Sequence, residues 1–433
     1  MIYNMKKINL ENIFFVSFLK LSIMKKYLFL SAVAATMLCA CSNDSDEVVS
    51  MNDNQNAENG LVPVELSVKA PVKIITRGTG TVGDLEANVD NNVWRGETLY
   101  FNMFEKKTDA GEDVLKWSEW ELIEGDNNSS QVVNFDNIPL SVTSDGISNV
   151  ANVEWVDSKY YPQDKSRHDF FAYRIDDAAT NLNGEGKPEL EEVDLKRYVS
   201  FTIDGTQDLV VGQADPEPED VDYAYSAKSA REGIIPQIDM KHLLSRFTFA
   251  VKAGHSNANG LKVNKIEVVS KVSGKMLVAW HPTEAPATAE EMISWDDSDT
   301  NTASLTLMQR PKDGVGEYLY NTQLETMEDA TLNWDATDGA VQVEQAVGEA
   351  LMVSPGQEEY DVFITTTQEM RDGRLNTITT PSKINVASTN GGPAIAGTSY
   401  KVVITLYGQS EIQLTTSLTG WNSGVDIPVD TAQ

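Results

Sequence analysis

The stretch LVPVELSVKA, residues 61–70, alternates strictly. Val62, Val64, Leu66 and Val68 fall on one side, with Pro63, Glu65 and Ser67 on the other. Successive side chains of a strand point to opposite faces, so this pattern predicts a strand with one buried face. Working outward, strands are read at 99–104, 117–122, 131–135, 170–174, 247–251, 261–269, 304–308, 341–347, 362–366, 401–406 and 412–418. Turn chemistry punctuates them at Asp126-Asn-Asn, Asn183-Gly184, Asp204-Gly205, Ser273-Gly274, Asp338-Gly339 and Asn390-Gly-Gly-Pro393. Helical periodicity is confined to short pieces at 287–293 and near 241–244. The chain is therefore expected to be all-β, most simply two β-sandwiches in tandem, of transthyretin- or immunoglobulin-like Greek-key type. The acidic run DPEPEDVD (215–222) and the turn at 231–236 set the expected domains at 61–238 and 239–433. No internal repeat of fixed period is present.

The first forty residues are of another kind. Met24-Lys25-Lys26 opens a basic region, and 27–38 is apolar but too short to span a bilayer. It ends at Leu38-Cys39-Ala40-Cys41, which looks like a bacterial lipobox. Signal peptidase II is expected to cut before Cys41 and leave it lipidated. The plainer alternative is an ordinary secretory signal with two incidental cysteines. Residues 1–40 are thus a signal region, its true start expected at Met24, with a long basic region as the alternative for 1–23. Residues 41–60, polar and opening on SNDSDEVV after Cys41, read as a flexible lipidated tether. That acidic stretch resembles the surface-export signal of Bacteroidota lipoproteins.

Composition limits the chemistry. The 433 residues are 41% hydrophobic and 23% charged, as in folded soluble proteins, and carry a net charge of -31. Such a surface repels nucleic acid and anionic lipid. Both cysteines lie at 39 and 41, so nothing later can form an internal disulfide or thiolate metal site. Gly78-x-Gly80-x-x-Gly83 has the spacing of a dinucleotide loop. It lacks the following helix and βαβ setting that such a loop requires. Asp297-Ser-Asp299-Thr-Asn301 imitates a calcium loop, but Thr302 and Met308 occupy the positions that need Gly and Glu. The four histidines (168, 242, 255, 281) show no zinc spacing, and no nucleophile elbow exists. No enzymatic activity and no cofactor are expected.

Several stretches, in order, resemble the fimbrillins, the fimbrial subunit lipoproteins of Bacteroidales. Besides the lipobox at Cys41 these are KYYPQDKSRHDFFAYRIDD (159–177), VDYAYSAKSA (221–230) and MKHLLSRFTFAVKA (240–253). LMVSPGQEEYDVFIT (351–365), GTSYKVVITL (397–406) and LTTSLTGWNSGVDIPVD (414–430) complete the set. The resemblance implies a surface lipoprotein of the cell outer membrane that joins other subunits in a fimbrium. It implies cleavage by an arginine-specific surface protease, removal of the first strand, and polymerisation by donor-strand exchange in support of adhesion. A host or bacterial receptor would be a further partner, and the outer membrane is met through lipid.

On this chain, Arg77-Gly78 is the expected processing site, with Lys69, Lys73 and Arg95 as rivals. Val62, Val64, Leu66 and Val68 form the strand to be displaced. The donor is expected in the C-terminal segment, with Leu414, Leu418, Val425, Ile427 and Val429 as groove-fillers. Two alternatives stay open. One is an uncleaved fimbrial anchor. The other is a monomeric glycan-binding lipoprotein, for which exposed Trp94, Trp117 and Trp120 would be the first stacking surfaces.

Overall fold

The computed structural model describes residues 62–71, 94–108, 115–117, 137–143, 149–156, 159–161, 167–175, 187–215, 225–281, 285–298, 301–315, 324–337 and 339–419. The described chain is overwhelmingly β, built from several packed sheets. Cys41, Arg77, Gly78, Val425, Ile427 and Val429 lie outside these residues.

The largest sheet runs Lys241–His242, Leu209–Gln213, Arg167–Ile175, Arg95–Thr108, Leu115–Trp117, with Ile138–Thr143 also paired to Arg95–Thr108. Both of its faces are covered. Phe101, Met103, Phe170, Ala172 and Val210 face a core shared with the 62–70 segment. Phe104, Phe171, Tyr173, Leu209 and Val211 face a second core with Val199, Phe201, Val278 and Trp280. Burial on both faces explains why Phe170-Phe-Ala-Tyr173 is continuously apolar where a half-buried strand would alternate.

The layer over that second core is the sheet Ile293–Trp295, Ser273–Trp280, Lys196–Thr202, Leu190–Val193. Its central pair joins residues on either side of position 239. Ser273-Gly274, expected as a turn, opens a strand instead. Gly274 is needed there because a Cβ would lie 2.5 Å from the Ser294 carbonyl oxygen. A second expectation also fails locally. Lys241–His242 is a short strand against Val210–Val211, not a helical turn. At 287–293 only the 3-10 turn Glu290–Met292 forms.

The remaining core is a sandwich of two four-stranded paths. One is Gln345–Val353, Ser245–Ala253, Ser399–Leu406, Ile412–Thr419. The other is Thr302–Thr306, Lys262–Lys271, Glu359–Glu369, Leu375–Asn385. Phe247, Phe249, Val402 and Ile404 of the first meet Val263, Ile266, Val362 and Ile364 of the second. The strand expected at 341–347 starts only at Gln345. Val341 and Val343 have the right alternation but are 90% and 82% exposed.

Two short helices, Ala227–Arg231 and Ala387–Asn390, were not anticipated. Ala227–Arg231 begins at Ser226, whose Oγ accepts from Ser229 N while Ser229 Oγ accepts from Ser226 N. This reciprocal cap satisfies two donors that a helix start leaves open.

Between Leu190–Val193 and Lys196–Thr202 the chain turns on two residues. Asp194 and Leu195 have φ of 48° and 62°. Hairpins of this length favour that left-handed shape, which a residue with a Cβ adopts at a cost. Replacing Leu195 by Gly is expected to raise stability by about 1 kcal/mol; a urea titration followed by fluorescence checks it.

Candidate functional site

The site is the place taken by residues 62–71. Ser67–Lys69 is the middle strand of three, parallel to Gln237–Asp239 and antiparallel to Val150–Asn152. Ahead of it, Val62–Pro63 pairs antiparallel with Tyr160–Tyr161. The segment is thus hydrogen-bonded along both edges. Val64 N donates to Lys159 O (2.8 Å), Ser67 N to Pro236 O (3.0 Å) and Ala70 N to Asn149 O (2.7 Å). Val153 N donates to Leu66 O (2.8 Å) and Met240 N to Lys69 O (3.1 Å).

Side chains follow the sequence pattern except at Ser67, which is buried although the alternation places it on the outer side. Val62, Val64, Leu66, Val68 and Ala70 are buried, while Pro63 and Glu65 are exposed. The buried row packs among Trp94, Phe101, Val142, Ala151, Phe170 and Ile238. At about 1.5–3 kcal/mol per large aliphatic side chain, the four larger ones are worth on the order of 10 kcal/mol as an upper bound. That is comparable to the whole stability of an ordinary domain.

Two indoles hold the segment by its backbone. Trp94 Nε1 donates to Val68 O (3.1 Å), and Trp155 Nε1 donates to Val64 O (2.7 Å). Neither indole belongs to the segment. Nothing in the sequence pointed to this role for either residue. Trp94 is fully buried, which removes it from any sugar-stacking surface. Trp117 ends a described strand, but its side chain and Trp120 lie outside the described residues. On the outward side Lys69 Nζ lies 3.5 Å from Asp239 Oδ2, and Ser67 Oγ donates to Pro236 O (3.3 Å).

The parallel neighbour Gln237–Asp239 is seated by a glycine. A Cβ on Gly212 would come within 2.6 Å of Asp239 O and 2.7 Å of Ile238 Cγ2. Close to this crossing, Tyr225 is buried with φ 51°, a strained conformation for an aromatic residue. Its carbonyl oxygen lies 3.1 Å from His168 Nδ1. Burial, reinforced by Asp215 and Asp169, pushes the Tyr225 hydroxyl up to about 12.

Ion-pairing groups are also buried away from this segment. His242 Nδ1 lies 2.6 Å from Asp208 Oδ2, and Arg310 Nε lies 3.6 Å from Glu349 Oε1. Arg246 is fully buried, and burial lowers its guanidinium to about 10 although Glu349 and Asp208 oppose the shift. Burial likewise raises Glu349, against the pull of Arg310 and Arg246. These groups fix the start of the Ser245–Ala253 strand, where Ser245 Oγ donates to Ile395 O (2.9 Å). Among the described residues no group of three or more His, Cys, Asp or Glu is placed to hold a metal. Asn301, the last residue of the calcium-like stretch, is a buried brace. Its side chain accepts from Ser273 N and Oγ and donates to Ser273 O and Asp296 O.

Of the expected donor residues, Leu414 and Leu418 lie in Ile412–Thr419. This strand pairs along its length with Ser399–Leu406 at the edge of its sheet. Both leucines are partly buried against the C-terminal core. Among the described residues no helix is long and apolar enough to cross a membrane.

No family model matches the chain, and no curated protein matches it. Solved structures do. A candidate cell adhesion protein of Bacteroides uniformis is 13% identical, with a TM-score of 0.41, covering 84% of this chain and all of that one. A fimbrial protein of Bacteroides vulgatus is 13% identical, with a TM-score of 0.36 and coverage of 62% and 82%. The fimbrial anchor protein Mfa2 of Porphyromonas gingivalis is 11% identical, with a TM-score of 0.27 and coverage of 82% and 98%.

The two faces of the segment give unequal expectations. Leu66→Ala is expected to cost about 2–5 kcal/mol. Glu65→Ala, on the exposed face, is expected to stay within about 0.5 kcal/mol. Urea unfolding of both variants checks the difference.

Proposed function

We propose that this chain is a non-enzymatic structural subunit of a cell-surface fimbrium, exported as a lipoprotein on Cys41 and supporting adhesion. Its assembly proceeds by cleavage after Arg77, loss of the strand carrying Val62, Val64, Leu66 and Val68, and insertion of a strand from another subunit. The observation that carries this reading is the position of that strand. Residues 62–71 supply the middle strand of a sheet and a large share of a core, yet lie on the N-terminal side of every other described element. One cut downstream would release it without touching the body. The emptied slot would expose apolar surface and two unpaired edges, which a second strand relieves. A slot on one copy and a donor on the next is a heterologous contact, which propagates as an open filament when the rotation does not close.

Other observations support the placing of the cut. Lys69 is held in a paired strand and Arg95 opens another. A protease needs backbone free of such pairing. Arg77, like its rival Lys73, lies outside the described residues, and it is preferred for the glycine that follows it in the sequence, Gly78. The domain division at 239 belongs to the same proposal, as do anchoring in the outer membrane and a partner protease specific for arginine. For the donor, the sequence Val425-Asp-Ile427-Pro-Val429 repeats the alternation of Val62–Val68, and Leu414 and Leu418 extend it upstream.

Limited trypsin digestion of the chain from Ser42 onward, read by mass spectrometry and native sizing, tests the proposal. Cleavage after Arg77 followed by growth into ladders is expected. A cut product that stays monomeric, or an Arg77 that resists while the chain stays monomeric, overturns polymerisation by strand exchange.

A further inference from the structure

The slot is more selective than an apolar trough, and its selectivity resides in residues that remain when the strand leaves. This deepens the reading above and rests on it. The two indole donors belong to the receiving body. Their acceptors, Val64 O and Val68 O, are four residues apart on the occupant. Carbonyls at this even spacing leave a strand on the same edge, so any strand in the slot offers both indoles an acceptor. A slip of one residue brings the next residue's carbonyl to each indole but turns the apolar row to solvent, and the buried row therefore sets the phase. With the segment gone, Trp94 would keep a buried N–H without that acceptor, which favours any occupant able to restore it.

Steps of two residues preserve this phase, so something else must fix the register. The outward groups do so. Ser67 N and Oγ both donate to Pro236 O, at 3.0 and 3.3 Å. Proline cannot supply that N–H. Lys69 Nζ faces Asp239 Oδ2 at 3.5 Å, and Gln237 Nε2 donates to Asp239 Oδ1 at 2.9 Å, aiming the carboxylate along the slot.

We infer that Trp94 and Trp155 are fixed clamps that hold the backbone of whichever strand fills the slot, while the buried apolar row sets its phase. Asp239 and the Pro236 carbonyl set its register, selecting an extended peptide with alternate apolar residues, a non-proline small donor at the Ser67 position and a cation at the Lys69 position. Clamping is indifferent to side chains; selection is not. The partner strand is thus defined by chemistry, whichever subunit supplies it.

The test uses the full chain from Ser42 with a specific protease site inserted after Gly80, cut and challenged with a labelled peptide of residues 61–71. The wild-type peptide is expected to exchange into the cut chain. Trp94→Phe and Trp155→Phe keep ring bulk and lose the N–H, and each is expected to weaken the peptide by roughly tenfold. A peptide lacking Glu65, whose two halves are out of phase, is expected not to bind. A peptide carrying Lys69→Glu is expected to bind about threefold more weakly, a difference that Asp239→Asn in the chain removes and added salt diminishes. The peptide changes cannot unfold the receiving body, so a poorly folding tryptophan variant does not spoil the test. Equal binding to the phenylalanine variants overturns the clamps, and binding of the out-of-phase peptide at wild-type strength overturns the setting of phase by the apolar row. Indifference to Lys69→Glu overturns selection by Asp239. Failure of the wild-type peptide itself removes the exchange reading on which the inference stands.

Discussion

Every backbone amide and carbonyl buried in this protein needs a partner, and the residues around 62–71 meet that demand only together. The segment lies between Val150–Asn152 and Gln237–Asp239, two short strands that do not pair with each other. It is the bridge that makes them one sheet. Without it, neither neighbour has a partner on its inner edge, and the apolar face of the large sheet loses its cover. The large sheet in turn separates two cores, so the condition of one outer layer bears on the packing of the whole N-terminal part.

Reliance on a terminal strand is compatible with a firm body because the body's other contacts are made elsewhere. The sheet over the second core pairs Lys196–Thr202 with Ser273–Trp280 and contains none of the 62–71 segment. Arg246, His242, Asp208 and Glu349 are buried polar groups whose desolvation is offset by contacts with one another and with Ser399, Leu209 N and Arg310. They hold the start of the Ser245–Ala253 strand in place without reference to the N-terminal segment. A groove keeps its shape when its walls are fixed by something other than its contents.

Much of this was legible in the sequence, for a physical reason. Half-buried strands must alternate, so Val62–Val68 announced itself, while Phe247–Val251 and Val402–Leu406, buried almost throughout, were legible from their density of apolar residues. Strands buried on both faces do not alternate, but Phe170-Phe-Ala-Tyr173 was dense enough in aromatics to be read as one. Errors fell where tertiary contact overrode local chemistry. Ser273-Gly274 has turn composition, yet Gly274 serves a close strand crossing. Val341 and Val343 alternate like a strand, yet among the described residues no strand pairs with them. The three-residue partner Gln237–Asp239 is too short to carry any period. The indole contacts of Trp94 and Trp155 were invisible because a tryptophan bound to a backbone carbonyl leaves no trace in spacing. The candidate site was therefore readable on the strand that fills it and not on the walls that receive it.

The parallel pairing of Ser67–Lys69 with Gln237–Asp239 has a consequence in time. The Ser67–Pro236 bond joins residues 169 apart in sequence, so the chain makes the strand long before it makes the strand's neighbour. Loop-closure entropy must be met before such a contact gives any return. The slot exists only once the body around it has formed, which makes the segment a late arrival in folding. Among the described strands, one near the start of the sequence thus depends for its place on a partner formed far later along the chain, and its docking records that this partner has been made.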